Sequence, residues 1–235
     1  MGDLEGAFAA AFDLVAGADA ALLGIMGLSL RVSLSAVLIA IAVGLPIGAA
    51  VALARFPGRR AVIVLLNAFM GLPPVVAGLA LYLLLSRAGP LGTLGLLFTP
   101  TAMIVVQAVL VTPIVAALTR QVVEDAWSEY AEQLRSLGVG PLAALPTMLW
   151  DTRFSLVVVA LAGFGRASAE VGAVMIVGGN IDGVTRVMTT AIALETSKGD
   201  LPLALGLGMV LMTLVVAINA LAFAVKERAE RWSGR

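Results

Sequence analysis

The feature that most constrains this 235-residue chain is a series of long stretches without a single charged side chain. A helix needs about 20 predominantly apolar residues to cross roughly 30 Å of hydrocarbon, because it rises about 1.5 Å per residue. One stretch is too long for a single span and opens with the turn-forming sequence 89–92, so its helix is expected to begin near Phe98. The predicted membrane spans are 32–53, 61–86, 98–119, 154–177 and 201–225, of which the fourth is interrupted by two charged residues.

The composition agrees with a chain whose surroundings are lipid. Hydrophobic residues make up 60% and charged residues 13%, against about 45–50% and about 25% in soluble domains. The 15 basic and 15 acidic residues balance, which argues against nucleic-acid binding. Because Cys and His are absent, disulfides, the usual zinc sites and histidine triads are excluded. The sequence predicts an all-α integral membrane protein.

The distribution of Lys and Arg orients the spans. Five crossings place the two ends on opposite sides, and short cytoplasmic segments accumulate basic residues. With a cytoplasmic carboxyl end, ten basic residues lie inside, against Arg31, Arg87, Arg186 and Lys198 outside. The amino terminus is then external. Its residues 1–27 are expected to form an interfacial helix over 4–23, the alternative being a sixth span.

A long cytoplasmic connection, 120–153, separates the third and fourth spans. Good helix formers continue to Leu137, and Gly138 and Gly140 can end the helix in a left-handed cap conformation. Pro141 suits the first turn of a new short helix at 142–145. Such an element could dock into a partner's groove or remain a solvated loop, and composition does not decide between them.

A second connection, 179–200, follows the fourth span. Asn180 lies in a Gly-rich turn, and apolar residues then recur through an external amphipathic or re-entrant helix over 184–196. This segment is either the mouth of a pathway or an interfacial helix that caps the bundle.

Ionisable and helix-breaking residues also occur inside the predicted spans. Arg166 and Glu170 are four residues apart, which predicts one face of a continuous helix. They either mark a pathway or gate, or form an internal ion pair that holds helices in register. Pro73 and Pro74 interrupt the second span, whereas Gly44 and Gly48 suit close helix packing.

No G-x-x-x-x-G-K-[ST] phosphate loop occurs, so the chain cannot hydrolyse ATP by that route. It also carries no internal repeat of the kind found in most secondary transporters, so a closed pathway requires another copy or another subunit.

The cytoplasmic stretch 132–141, Glu-Gln-Leu-Arg-Ser-Leu-Gly-Val-Gly-Pro, resembles the EAA loop of permease subunits of ATP-binding-cassette (ABC) importers. Gln133 and Leu134 replace the two alanines of that motif, and 148–151 replaces its Ile-x-Leu-Pro. The stretch 165–173, continuing through 179–180, looks like the signature of molybdate, sulfate and tungstate permeases. With 71–78 and 89–92, the similarity covers nearly all of the chain from residue 28 onward, and 180–190 with 195–200 most resembles the tungstate-specific branch.

The resemblance implies a type I ABC importer permease, a single domain over 1–235 with five transmembrane helices in the cell membrane. Its partners would be a second copy, an external oxyanion-binding protein and two cytoplasmic ATPases that bring ATP and Mg²⁺, with no cofactor in this chain. The implied ATPase-coupling residues are Glu132, Leu134, Arg135, Leu137, Gly138, Val139, Gly140, Pro141 and Leu142. The candidate pathway residues are Pro73, Pro74, Arg166, Glu170 and Asn180.

The function that follows is import of an oxyanion, tungstate in preference to molybdate or sulfate, by a subunit that is not itself an enzyme. The alternatives of a different class are an intramembrane enzyme and a scaffold subunit. Against an enzyme, the chain has no His or Cys for catalysis, and the residue near Glu170 in the sequence is Arg166 and not a second acid.

Overall fold

The computed structural model describes residues 20–232 together with Gly6, Phe12 and Gly17. Within that part every regular element is a helix, which confirms the all-α prediction. The α-helices are α1 (Ala20–Leu53), α2 (Arg59–Met70), α3 (Pro74–Leu85), α4 (Pro100–Ser136), α5 (Leu145–Asp151), α6 (Arg153–Ser168), α7 (Gly172–Gly178), α8 (Met188–Lys198) and α9 (Leu201–Trp232), with a 3₁₀ turn at Gly92–Leu94.

Three of the described helices, α1, α4 and α9, are long and apolar enough to cross a membrane. The pairs α2 with α3 and α5 with α6 raise the number to as many as five if each interrupted pair counts as one span. A multi-pass membrane protein is therefore confirmed, and the count of five spans stays a prediction.

The first helix begins earlier than the uncharged run predicts. α1 starts at Ala20 and continues through Arg31, because its first turns are rich in Ala, Leu, Ile and Met and contain no proline. The end of the predicted interfacial segment, 20–27, therefore belongs to α1. The remainder of that segment, apart from Gly6, Phe12 and Gly17, lies outside the described residues.

The chain divides into two compact units, and α1, α4, α6 and α9 contribute residues to both. The first unit contains Pro73–Gln107, Ala167–Leu221 and the described residues up to Ser35. One of its cores joins α1, α8 and α9, where buried apolar side chains meet. These are Leu22, Met188, Ala191, Leu207 and Val210.

The second unit contains Ala36–Leu72, Ala108–Arg166 and the described residues from Ala222 onward. In it α1 and α4 approach closely at two glycines. A Cβ atom on Gly44 would lie 2.9 Å from Cγ1 of Val115, and one on Gly48 only 2.3 Å from the carbonyl oxygen of Ala116. Small residues let membrane helices pack backbone against backbone, so the packing role predicted for these glycines is confirmed.

Candidate functional site

The carboxyl end of α4 stops where the glycines predict. α4 ends at Ser136, and Gly138 adopts a left-handed conformation with φ of 75°. The Gly138 N–H donates to the carbonyl of Arg135 at 3.0 Å, and the Val139 N–H donates to that of Leu134 at 2.9 Å. These bonds satisfy carbonyl groups that a helix end would otherwise leave open. The chain therefore leaves α4 in a fixed direction.

The short helix after this break begins later than predicted. Residues 141–144 form turns, and the helix is α5, Leu145–Asp151, with Pro146 in its first turn. The placement at 142–145 is therefore wrong, because Pro146, not Pro141, occupies the favoured position for proline at a helix start. We call residues 137–151 the handle.

The handle belongs to the second unit and is packed into one of its cores. Ala144 is fully buried and Met148 is 2% exposed, in a core that also contains Ala49, Ala52 and Val123. Leu134 and Val139, two of the predicted coupling residues, pack against this core. Displacing the handle would disturb this close-packed core, so its position is coupled to that of α1 and α4.

Large apolar side chains are exposed on the outer surface of the handle. Leu137 is 76% exposed, Leu142 58% and Trp150 70%. The guanidinium of Arg153 lies 4.8 Å from the centre of the Trp150 ring, which fixes the indole by a cation–π contact. The other predicted coupling residues are exposed as well: Glu132, Arg135, Gly138, Gly140 and Pro141. A rigid element with an exposed apolar surface is suited to docking.

The fourth predicted span is interrupted at its polar residues. Arg166 lies near the end of α6, whereas Glu170 lies in the break 169–171 before α7. The prediction that both occupy one face of a continuous helix is wrong. Glu170 is 3% exposed, its carboxylate accepts the Ala173 N–H at 2.9 Å, and its carbonyl accepts the Thr189 hydroxyl at 2.9 Å. These bonds replace helical ones and stabilise the break. That Arg166 pairs with Glu170 stays a prediction.

A buried glutamine supports the same break from α4. Gln107 is 3% exposed, and its Nε2 donates to the carbonyl of Ala167 at 3.1 Å, close to the end of α6. Its Oε1 is buried and accepts no hydrogen bond from the described residues. Sequence analysis did not single out Gln107, although an amide inside an apolar span is a signal of buried polar packing.

Pro73 and Pro74 shape the start of α3. Pro73 is extended before the helix, and its carbonyl accepts the N–H groups of Val76 and Ala77 at 3.0 and 3.2 Å. Pro74 is the first residue of α3, where its missing N–H costs nothing. Further along α3, a Cβ on Gly78 would lie 2.8 Å from the Cα of Ala173, so α3 and α7 pack backbone to backbone. The predicted helix interruption is confirmed.

Asn180 lies in a tightly bonded turn after α7. Its φ of 50° is left-handed, and its Nδ2 donates to the Thr190 carbonyl at 3.4 Å. Fully buried Thr185 donates to the carbonyl of Gly178 at 2.6 Å and accepts the Ile181 N–H at 2.9 Å. The helix expected over 184–196 is α8, Met188–Lys198; the expected start at 184 is wrong, because 184 and 185 belong to this turn.

A charged cluster that sequence analysis missed lies near the start of α2. Glu124 of α4 contacts both Arg59 and Arg120 through its two carboxylate oxygens. The spacing of Arg120 and Glu124 is a recognisable helix pair, but Arg59 is 65 residues away from Glu124. Among the residues that the structure describes, no cluster of three or more His, Cys, Asp or Glu side chains could hold a metal ion.

Comparison with known proteins gives several relatives and no matching protein-family model. The chain is 41% identical over 220 residues to the "Tungstate uptake system permease protein TupB" of Peptoclostridium acidaminophilum, covering 94% of this chain and 96% of that protein. It is 38% identical to the "Probable anion ABC transporter permease protein" of Haloferax volcanii, over 91% of this chain and 94% of the relative. The tungstate uptake permease of Campylobacter jejuni is 39% identical over 73% of this chain and 72% of its own length. The chain therefore belongs to the permease family of ABC oxyanion transporters.

Proposed function

We propose that this chain is the membrane subunit of an ATP-driven importer that moves tungstate from an external binding protein to the cytoplasm. The support for tungstate is the identity of 41% and 39% to two proteins that are named as tungstate uptake permeases. The support for a driven permease is the handle, a rigid element with an exposed apolar surface beyond the end of a predicted span.

In this proposal the handle is where a cytoplasmic ATPase docks. The exposed side chains of Leu137, Leu142 and Trp150 provide the apolar contact area, at about 25 cal/mol per Å² removed from water. The ATPase binds ATP and Mg²⁺, so this chain needs no cofactor and has no ATPase activity of its own. ATP-driven closure of two ATPases would move two handles and switch the pathway between its external and cytoplasmic openings.

The pathway is proposed to lie between two copies of the chain. A single set of spans without a repeat lacks the two-fold architecture of most secondary transporters, so a second copy would complete the pathway. Large apolar side chains are exposed on several helices, including Leu38 (65% exposed), Val64 (64%) and Met212 (64%). Such surfaces suit lipid or a second copy.

Arg166 and Glu170 are proposed to shape this pathway, with Pro73, Pro74 and Asn180 fixing the neighbouring backbone. Because Glu170 is buried and bonded to the break after α6, it would act by holding the pathway wall and not by binding the anion directly. Arg166→Gln should lower uptake about tenfold while ATPase association is kept. Wild-type uptake together with wild-type coupled ATPase activity would remove this role.

The experiment that tests the function uses the whole complex in proteoliposomes. The permease is reconstituted with its ATPase and its external binding protein, and uptake of tungstate, molybdate and sulfate is measured with and without ATP. ATP-dependent tungstate uptake that the other anions compete with only weakly is the expected result. If molybdate or sulfate were taken up in preference to tungstate, the proposed anion would be wrong but the importer function would stand. Uptake by the permease alone, a bound lipid substrate, or a stable complex without transport would contradict the importer.

A further inference from the structure

The end of α1 is capped by a side chain from the next helix. Arg59 is the first residue of α2, and its Nε donates to the carbonyl of Val51 at 2.8 Å. Its Nη2 donates to the carbonyl of Ala52 at 3.3 Å. Both carbonyls belong to the last turn of α1, which has no helical N–H donor for them. A guanidinium at this position is also favoured by the negative end of the helix dipole.

The same guanidinium is held by a carboxylate on α4. Glu124 accepts a hydrogen bond from Nη2 of Arg59 on one oxygen and from Nη1 of Arg120 on the other. The side chains of Arg59, Arg120 and Glu124 are 27%, 16% and 32% exposed, so the group is partly shielded from water. The planar guanidinium presents five donors in a fixed fork, which lets one arginine bond two carbonyls and a carboxylate together.

This cluster lies directly beside the core in which the handle is packed. Ala52 offers its carbonyl to Arg59, and its side chain is buried in the handle core with Val123 and Met148. Val123 is the neighbour of Glu124 on α4. One turn earlier on α1, Gly48 packs against the α4 backbone at Ala116. A displacement of the handle therefore acts on α1 and α4 together at the point where Arg59 is bonded to both.

We propose that Arg59 and Glu124 are positioning residues that transmit the displacement of the handle to α2. This inference rests on the proposed function, in which an ATPase moves the handle. The connecting segment 54–58 links α1 to α2 covalently. In addition, the Arg59 side chain joins the start of α2 to the end of α1 and to α4 within the second unit. Without these bonds the handle would still dock its ATPase, but its movement would reach α2 only through that segment, where Gly58 has φ of 86°.

Glu124→Gln is the variant that tests this link, because it removes the charge and keeps the size. The matched control is Glu129→Gln, the same change at an exposed position on the same helix. Each variant is reconstituted with the ATPase and the external binding protein, and both ATP hydrolysis and tungstate uptake are measured. For Glu124→Gln we expect uptake to fall at least tenfold, with ATPase association kept and hydrolysis within about twofold of wild type. Glu129→Gln should match wild type in both.

A merely structural role would lower hydrolysis, uptake and the yield of the complex together. Proportional losses, or unchanged uptake in Glu124→Gln, would overturn the proposal. If the wild-type complex itself shows no ATP-dependent uptake, the proposed function fails instead, so the two failures are distinguishable.

Restoring the connection provides an independent test. The chain contains no cysteine, so Arg59→Cys with Glu124→Cys places its only two thiols at the two ends of the link. We expect the double variant to hydrolyse ATP with little uptake, and a flexible bifunctional thiol reagent to restore uptake severalfold. The reagent should have no such effect on either single variant. A cross-linked double variant that stays uncoupled would contradict a mechanical link.

Discussion

Gly48→Ala tests how tightly the close approach of α1 and α4 is set. The new Cβ would lie 2.3 Å from the carbonyl oxygen of Ala116 and 2.8 Å from Cβ of Thr119. Ordinary carbon–oxygen contacts are about 3.3–3.6 Å, so the two backbones must separate by about 1 Å. Overpacking of this kind costs about 1–3 kcal/mol. For a chain of this size each kcal/mol corresponds to about 2–4 °C, which predicts a fall in Tm of roughly 2–12 °C.

The assay is thermal unfolding of the purified permease in detergent, with Gly24→Ala as the control. Gly24 lies on the same helix, and a Cβ there meets nothing within 4 Å. The control should keep or slightly raise Tm, because alanine favours a helix over glycine by up to about 1 kcal/mol. Equal stability of the two variants would refute the reasoning, since it would mean that α1 and α4 are not held at this separation.

Three further changes address the other described sites. Glu170→Ala leaves the buried N–H of Ala173 without its acceptor and should lower the free energy of unfolding by about 1–3 kcal/mol. Glu170→Gln retains an oxygen acceptor and should lose less, so equal losses would contradict the capping role. Leu142→Asp should reduce co-purification of the ATPase at least tenfold without changing Tm, because this side chain is 58% exposed, and unchanged co-purification would argue against docking there. Thr185→Val keeps the side-chain volume but removes two hydrogen bonds inside the turn after α7, so limited proteolysis should cut that turn faster than in wild type. An unchanged cleavage rate would show that the hydroxyl is dispensable.

Features that depend on neighbouring residues in the chain were predictable. The uncharged runs indicated the long helices, Pro73 and Pro74 indicated the interruption between α2 and α3, and Gly138 indicated the end of α4. Each follows from a local property: apolar length, a missing N–H, or tolerance of positive φ.

Features that depend on distant contacts were not predictable in this way. The spacing of Arg166 and Glu170 suits a continuous helix. The hydrogen bonds that stabilise the break come from distant residues, Thr189 and Gln107, and from the Glu170 carboxylate, which accepts the Ala173 N–H. The contact between Arg59 and Glu124 has no local signal, because it joins positions 65 residues apart; only the pairing of Glu124 with Arg120 follows from their spacing. The start of α5 was misplaced because two prolines fit a helix start equally well by sequence.

The length of α4 links the handle to the lipid environment. Its 37 residues extend about 55 Å at 1.5 Å per residue, whereas the hydrocarbon region is about 30 Å thick. A helix that passes without interruption from the lipid into the adjoining water adjusts to a thinner or thicker bilayer by changing its tilt. We expect the depth and angle of the handle to follow this tilt, so that uptake in proteoliposomes changes with the acyl-chain length of the lipids.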